Sequence, residues 1–236
     1  MTAIVLFMAG IAAVAGWWLS QQRLAAKPWL EEGVIGEFAG GGALPLPAAK
    51  IGLGVFLAVV GSLFALFISA YSMRMALIDW RSLPVPKLLW FNTGVLIVSS
   101  AALQWAQVSA RRDDSDNVLL GLLAGGVSAV VFVIGQLLAW QQLNAAGYFL
   151  TANPANAFFY LITAVHGLHV LGGLAALGKT SARAWRGVEI PRLRLSLSVE
   201  LCAMYWHFLL LVWLILFALL TGWADDLATI CRQLLT

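Results

Sequence analysis

Three histidines are the whole stock of imidazole in this chain: His166, His169 and His207. His166 and His169 stand in the run His166-Gly167-Leu168-His169. At i, i+3 on a helix their rings leave nearly one face. Two imidazoles so placed could begin a metal site, since neutral histidine is a common ligand. A site needs further ligands, however, and the surrounding apolar run holds no carboxylate and no cysteine. His207 could add at most a third ligand, so the leading expectation is hydrogen bonding across a helix interface. Cys202 and Cys231 make neither a CxxC pair nor a supported disulfide. Acids within membrane spans would mark a proton relay or an ion-coupled carrier. Here Glu200, Asp225 and Asp226 stand only at the ends of apolar runs. No Walker loop, GxSxG elbow or zinc-protease motif occurs. No catalytic residue, metal ligand or bound cofactor is expected of this chain.

The elements that hold these residues follow from composition. Hydrophobic residues make up 61% of the 236 positions and charged residues 11%. Soluble domains average about 45–50% and about 25%. Crossing a hydrocarbon core of about 30 Å takes about 20 apolar residues in a helix. Six stretches qualify: Ala3–Leu19, Ile51–Met73, Leu88–Ala110, Val118–Trp140, Ala157–Gly178 and Leu201–Trp223. None contains Asp, Glu or Lys. Backbone groups in lipid must be satisfied internally, which selects helices. The chain is therefore expected to be an all-α, polytopic transmembrane bundle of about six helices. The first stretch lacks the preceding positive charge and the small-residue end of a signal peptide, so it is expected to be retained. The net charge of +3 and the absence of a basic run speak against nucleic acid as a partner.

Orientation follows from Lys and Arg in the loops. Of the 14 such residues, Arg23, Lys27, Lys50, Arg111, Arg112, Lys179, Arg183, Arg186, Arg192 and Arg194 follow the first, third and fifth stretches. Arg74, Arg81, Lys87 and Arg232 lie on the other side. Both termini are thus expected on the non-cytoplasmic side, and the uncharged loop Gln141–Asn156 suits that face. Most tryptophans sit near stretch ends, at headgroup level. Trp206 and Trp213 lie within the last stretch, seven apart and so nearly on one face, where packing against another helix or a lipid tail is expected. Gly121, Gly125 and Ser128, with Gly173, mark close helix contacts. Glu31–Pro47, rich in glycine and proline, reads as a flexible loop.

The run from Phe158 to Gly173, with Tyr160, His166, Gly167, His169 and Gly172, resembles the signature of the cytochrome c oxidase subunit III family. Glu200, then Tyr205-Trp206-His207-Phe208, then Val212-Trp213-Leu214, is similar to the family's second signature. Weaker echoes are Lys50-Ile51-Gly52, Asn92-Thr93, Ser99-Ser100 and Trp105. The resemblance covers about residues 49–223. It departs from the family at Val60, where a glutamate is usual, at Leu210, where an aspartate is usual, and around Ala139-Trp140, which replace a further acid.

The resemblance implies that residues 49–236 form the family's five-helix bundle with a short tail, and that 1–48 add one N-terminal helix and a loop. It further implies a non-catalytic subunit of a haem-copper terminal oxidase in the membrane of a respiratory chain, bacterial inner membrane being the expected place. Haem and copper would reside in partner subunits. The implied partners are the catalytic subunit I, other oxidase subunits and phospholipids. The chain would support proton uptake and sustained oxygen-reducing turnover. His166, His169, Glu200, Trp206 and His207 are the expected polar seam or lipid site between the fifth and sixth stretches. Competing readings are a small transporter or channel, with Asn92, Ser99, Gln104, Gln136 and His169 converging on a cavity, and a transient assembly factor. A related subunit of a quinol oxidase or of a nitric oxide reductase complex is a further alternative.

Overall fold

The computed structural model describes residues 48–112, 114–185 and 192–222. Five helices are present among them: α1 Ala48–Met75, α2 Leu88–Arg111, α3 Ser115–Ala145, α4 Pro154–Trp185 and α5 Arg192–Leu220. All five are long and apolar enough to cross a membrane. They coincide with the second to sixth stretches of the sequence. The first stretch, the loop Glu31–Pro47, and Asp225, Asp226 and Cys231 lie outside the described residues.

The helices run past the apolar stretches that announced them. At about 1.5 Å per residue a 32-residue helix such as α4 extends for about 48 Å, well beyond the hydrocarbon. Lys50, expected in a loop, therefore stands in the first turn of α1, and Lys179 and Arg183 stand in the last turns of α4. Charges at these levels meet headgroups and water rather than acyl chains.

Sequence chemistry fixes the helix ends. Asp114 caps α3 by accepting from the Asn117 amide at 3.2 Å. Asn153 caps α4 by accepting from Ala155 N at 3.2 Å, with Pro154 at the first helical position. At the far end of α3, Gly147 adopts φ 85°, and Tyr148 N donates to Leu143 O at 3.0 Å. That is a Schellman stop, so the loop expected over Gln141–Asn156 shortens to 146–153. Gly222, at φ 79°, ends α5 two residues past Leu220.

Helices α2, α3, α4 and α5 form a closed ring of neighbours, and α1 lies outside it against α4 and α5. The interior is filled by Trp206, Trp213, Phe132, Phe159 and leucines of α2. The outer surface is apolar too: Val59, Leu66, Val127 and Leu168 are each more than 60% exposed. A soluble protein would not survive that exposure, but lipid is the solvent here.

The tightest contact joins α2 to α3 through glycines. A Cβ added at Gly121 would lie 2.8 Å from Ala106 Cβ and 2.9 Å from Ala102 O. One added at Gly125 would lie 2.8 Å from Leu103 Cγ, and Gly135 sits under the Asn92 amide with no room for a methyl. Small residues let backbones approach, which is the main source of helix association in lipid. Gly121→Val is expected to cost about 1–3 kcal/mol by overpacking. Unfolding in mixed micelles, titrated with a denaturing detergent, checks it against Gly94→Val, where a Cβ meets open space.

Candidate functional site

Helix α5 supplies the interior with two indoles, and a donor in hydrocarbon must find an acceptor. Trp206 Nε1 donates to Ser99 Oγ at 2.9 Å, and Ser99 Oγ donates onward to Gly125 O at 2.7 Å. One relay thus joins α5, α2 and α3. Trp213 Nε1 donates to Thr93 Oγ1 at 2.9 Å, two turns along the same faces. Expected packing of these two tryptophans against another helix is what the structure contains, and the partner is α2.

His166 is fully buried, its ring 5.0 Å from that of Trp213 and 5.6 Å from that of Phe132. Its Nε2 lies 3.1 Å from Leu209 O, and since a carbonyl only accepts, Nε2 carries the proton. Its Nδ1 has no hydrogen-bond partner. His169 turns the other way, toward α1, with its ring 5.6 Å from Phe64 and its Nδ1 donating to Val165 O at 2.8 Å. The i, i+3 pair therefore points into two different environments. His207 belongs to a third: Nδ1 meets Ser100 Oγ at 2.5 Å and Nε2 meets Gln104 Oε1 at 2.8 Å, on the outer side of α2 and α5. No three His, Cys, Asp or Glu side chains gather to hold a metal among the described residues.

Glu200 is in a fourth place. Its Oε1 accepts from Lys50 Nζ at 2.7 Å, and Arg111 lies 3.9 Å away. About three quarters of the Lys50 and Glu200 side chains are shielded, at 25% and 23% exposure. The pair links α1 to α5, and Arg111 brings in α2, all at one end of the bundle. The opposite end is held by Arg74 and Asp79, bonded twice at 2.7 and 2.5 Å. The Arg74 guanidinium holds the Asp79 carboxyl below its ordinary range. Beside them Tyr71, Trp80 and Phe158 stack edge to face.

A groove of about 350 Å³ opens between α1, α4 and α5, walled by Phe56, Leu168, His169, Gly173, Cys202 and Tyr205. Tyr205 Oη donates to His169 O at 2.9 Å across its floor. Trp206 closes the inner side, its ring lying over Gly173. So His169 and Trp206 border one groove, whereas His166, Glu200 and His207 each serve another contact. The residues that sequence reading passed over are Lys50 as the partner of Glu200 and Thr93 as the acceptor for Trp213. Both are separated from their partners by more than a hundred positions, and no local pattern points to them.

The other polar residues of the membrane region separate in the same way. Asn92 Nδ2 meets Gln136 Oε1 at 3.5 Å in the buried α2–α3 contact, Ser99 serves Trp206, and Gln104 serves His207. They do not converge with His169 on one cavity.

The family model for cytochrome c oxidase subunit III matches residues 51–225, which takes in all five helices except the first turn of α1. The chain belongs to the cytochrome c oxidase subunit III family. Among its relatives, cytochrome c oxidase subunit 3 of Synechocystis sp. is 28% identical over 173 residues, covering 71% of this chain and 72% of the relative. The probable cytochrome c oxidase subunit 3 of Mycobacterium leprae is 33% identical over 128 residues, covering 54% and 62%. Cytochrome c oxidase subunit 3 of Thermostichus vulcanus is 31% identical over 129 residues, covering 55% and 62%. The match thus spans somewhat under two thirds of the length of the latter two. At two positions where the resemblance led an acid to be expected, the structure has buried apolar side chains. Val60 is buried with Phe64, Ile162, Val212 and Leu216, and Ala139 is fully buried. Trp140 donates to Thr163 Oγ1 at 3.1 Å.

The Trp206–Ser99 bond is a testable unit. In a double-mutant cycle, Trp206→Phe and Ser99→Ala are expected to show a coupling of about 0.6–1 kcal/mol, typical of interhelical hydrogen bonds in membranes. Detergent-titrated unfolding of the two single variants and the double variant measures it.

Proposed function

We propose that this chain is the redox-inactive third subunit of a haem-copper terminal oxidase, packed on the catalytic subunit that holds haem and copper. It braces that partner, holds phospholipid in the α1–α4–α5 groove, and sustains proton uptake during turnover. Residues 1–48 add one further helix and its loop, the complex lies in a bacterial inner membrane, and both termini face away from the cytoplasm.

The observation that carries this reading is the match of the family model across residues 51–225, laid on a bundle in which Trp206, Trp213 and His166 hydrogen-bond to neighbouring helices. A redox centre of two haems and a copper needs a set of convergent ligands. The histidines here diverge into three environments. A carrier or channel would need a polar path, and Asn92, Ser99, Gln104, Gln136 and His169 divide among separate contacts instead. The groove suits an acyl chain: its walls are apolar, it opens to the lipid, and Lys50 stands one turn from Leu53 toward the headgroup level.

Purification in mild detergent through a tag on this chain is expected to bring a haem-absorbing partner with it in fixed proportion. A clean, haem-free preparation would count against the whole assignment. In that complex His166→Ala is expected to leave haem content unchanged while destabilising this subunit by roughly 2–4 kcal/mol, through the cavity left among Phe132, Trp213 and Phe64. Loss of a metal centre on that substitution would contradict the reading. For orientation, Ala152→Cys in the exposed α3–α4 loop, in a Cys231→Ser background, is expected to react with an impermeant maleimide from the outer side of intact cells.

A further inference from the structure

The two halves of α1 are held by different means. In the second half Val60, Phe64 and Tyr71 are buried in one cluster with Ile162 of α4 and Val212 and Leu216 of α5, and Phe67 and Ile68 pack beside them. In the first half no residue from Ala49 to Val59 is buried among the described residues. Leu53 and Leu57 rest partly covered against the core, and the Phe56 ring comes no nearer than 6.1 Å to that of Tyr205. Behind this half lies the groove, whose α1 wall is Leu53 and Phe56. A segment with so few buried apolar contacts opens at lower cost than the rest of a fold.

The boundary between the halves is a weak point of the helix itself. Gly61 and Ser62 follow directly on Val60, the first buried residue. Ser62 Oγ donates back to Ala58 O at 2.9 Å, an i−4 bond of the kind that destabilises and bends helices. Gly/Ser pairs are a recognised cause of helix kinks. Packing does not require glycine at this position, since a Cβ on Gly61 would meet Phe208 at 3.8 Å, an ordinary contact.

The far tip of the first half is tied across to α5. Lys50 stands eleven residues before Gly61, about 16 Å along the helix. Its Nζ lies 2.7 Å from Glu200 Oε1, and both side chains keep about a quarter of their exposure. A partly exposed ion pair is weak enough to break and re-form. Arg111, 3.9 Å from the same carboxylate, offers Glu200 a second cation when Lys50 leaves. Glu200 directly precedes Leu201 and Cys202 of the groove wall, so the pair sits at the groove's mouth.

We infer that the first half of α1 is a hinged flap over the groove, pivoting at Gly61–Ser62 and held shut by Lys50 on Glu200. Opening parts Leu53 and Phe56 from the Gly172, Gly173 and Ala176 wall and lets a lipid chain pass sideways between groove and bilayer. That use of the opening rests on the reading of the groove as a lipid site.

Cys202 reports the motion, because it lines the groove and is only 8% exposed. In the protein purified through its tag, in a Cys231→Ser background, alkylation by N-ethylmaleimide is followed by mass spectrometry. Lys50→Gln and Glu200→Gln are each expected to speed it about threefold, the effect of losing one partly exposed ion pair. A merely local effect of charge on the thiol would move the two variants in opposite directions, since one removes a cation and the other an anion. Gly61→Ala with Ser62→Ala, which stiffens the pivot without altering the groove wall, is expected to slow alkylation several-fold. Gly54→Ala, on the arm of the flap where a Cβ meets open space, is expected to leave the rate unchanged. If Lys50→Gln is no faster than the unaltered chain, or the pivot variant matches Gly54→Ala, the flap is wrong. Phospholipid retained through detergent washing is expected to fall in Lys50→Gln as alkylation quickens. Faster alkylation with undiminished phospholipid leaves the flap standing and overturns lipid as its guest.

Discussion

Two indole N–H groups on α5 have nowhere to go in hydrocarbon except to a neighbouring helix, and the hydroxyls of Ser99 and Thr93 on α2 receive them. These two bonds set the register of the antiparallel α2–α5 pair. Once Trp206 meets Ser99, Trp213 falls opposite Thr93, Ser100 falls opposite His207, and Arg111 arrives at Glu200. Shifting α5 by one turn would break every one of these together. Ser99 also donates to Gly125 O, so the register of α3 follows from the same side chain. Gly125 can be so placed only because it lacks a Cβ that would strike Leu103. The close α2–α3 contact and the indole bonds are thus one structural unit.

The positions of the five described membrane helices could be read from apolar run length, because the bilayer imposes a single scale on all of them, although their ends run past the apolar runs. Individual contacts could not. That His166 and His169 share a helix face was visible in their spacing, yet the structure sends one into the ring and the other toward α1. Phe64 of α1 lies beside both rings, 6.3 Å from His166 and 5.6 Å from His169, a tertiary contact absent from the local pattern. Glu200 is similar. An acid beside an apolar run reads as an ordinary interfacial charge until Lys50, 150 positions away, is found 2.7 Å from it. Gly121, Gly125 and Gly173 were legible, since small residues in a membrane helix have few other uses. Gly135 went unremarked, because the Asn92 side chain it accommodates belongs to another helix.

Val60 and Ala139, two of the positions at which the resemblance led an acid to be expected, are buried among apolar neighbours. A carboxyl at Val60 would stand in a buried apolar cluster that includes Phe64, Ile162, Val212 and Leu216. Such a group would be neutral or would need a lipid or water partner. The apolar residue removes that demand. The ionisable groups that remain are concentrated at the two ends, as Lys50 with Glu200 and Arg74 with Asp79. The middle of the bundle relies on the hydrogen bonds of indole, hydroxyl, imidazole and amide groups.

The groove follows from how α1 is attached. Among the described helices it touches only α4 and α5, and it is tied at its ends by Lys50–Glu200 and by the Tyr71–Trp80–Phe158 stack. Between those ties Val60 and Phe64 pack inward. One turn or two nearer Lys50, the α4 wall is built from Gly172, Gly173 and Ala176, which present almost no side chain. Tyr205 and Trp206 cover Gly173, but a Cβ on Gly172 would meet open space. Phe56 stands 6.1 Å from Tyr205 across the gap without filling it. Larger residues on α4 would draw α1 into contact along its whole length and erase the space. A helix tied by an ion pair at one end and by an aromatic stack at the other, over a wall of glycine and alanine, leaves an apolar slot between the two ties.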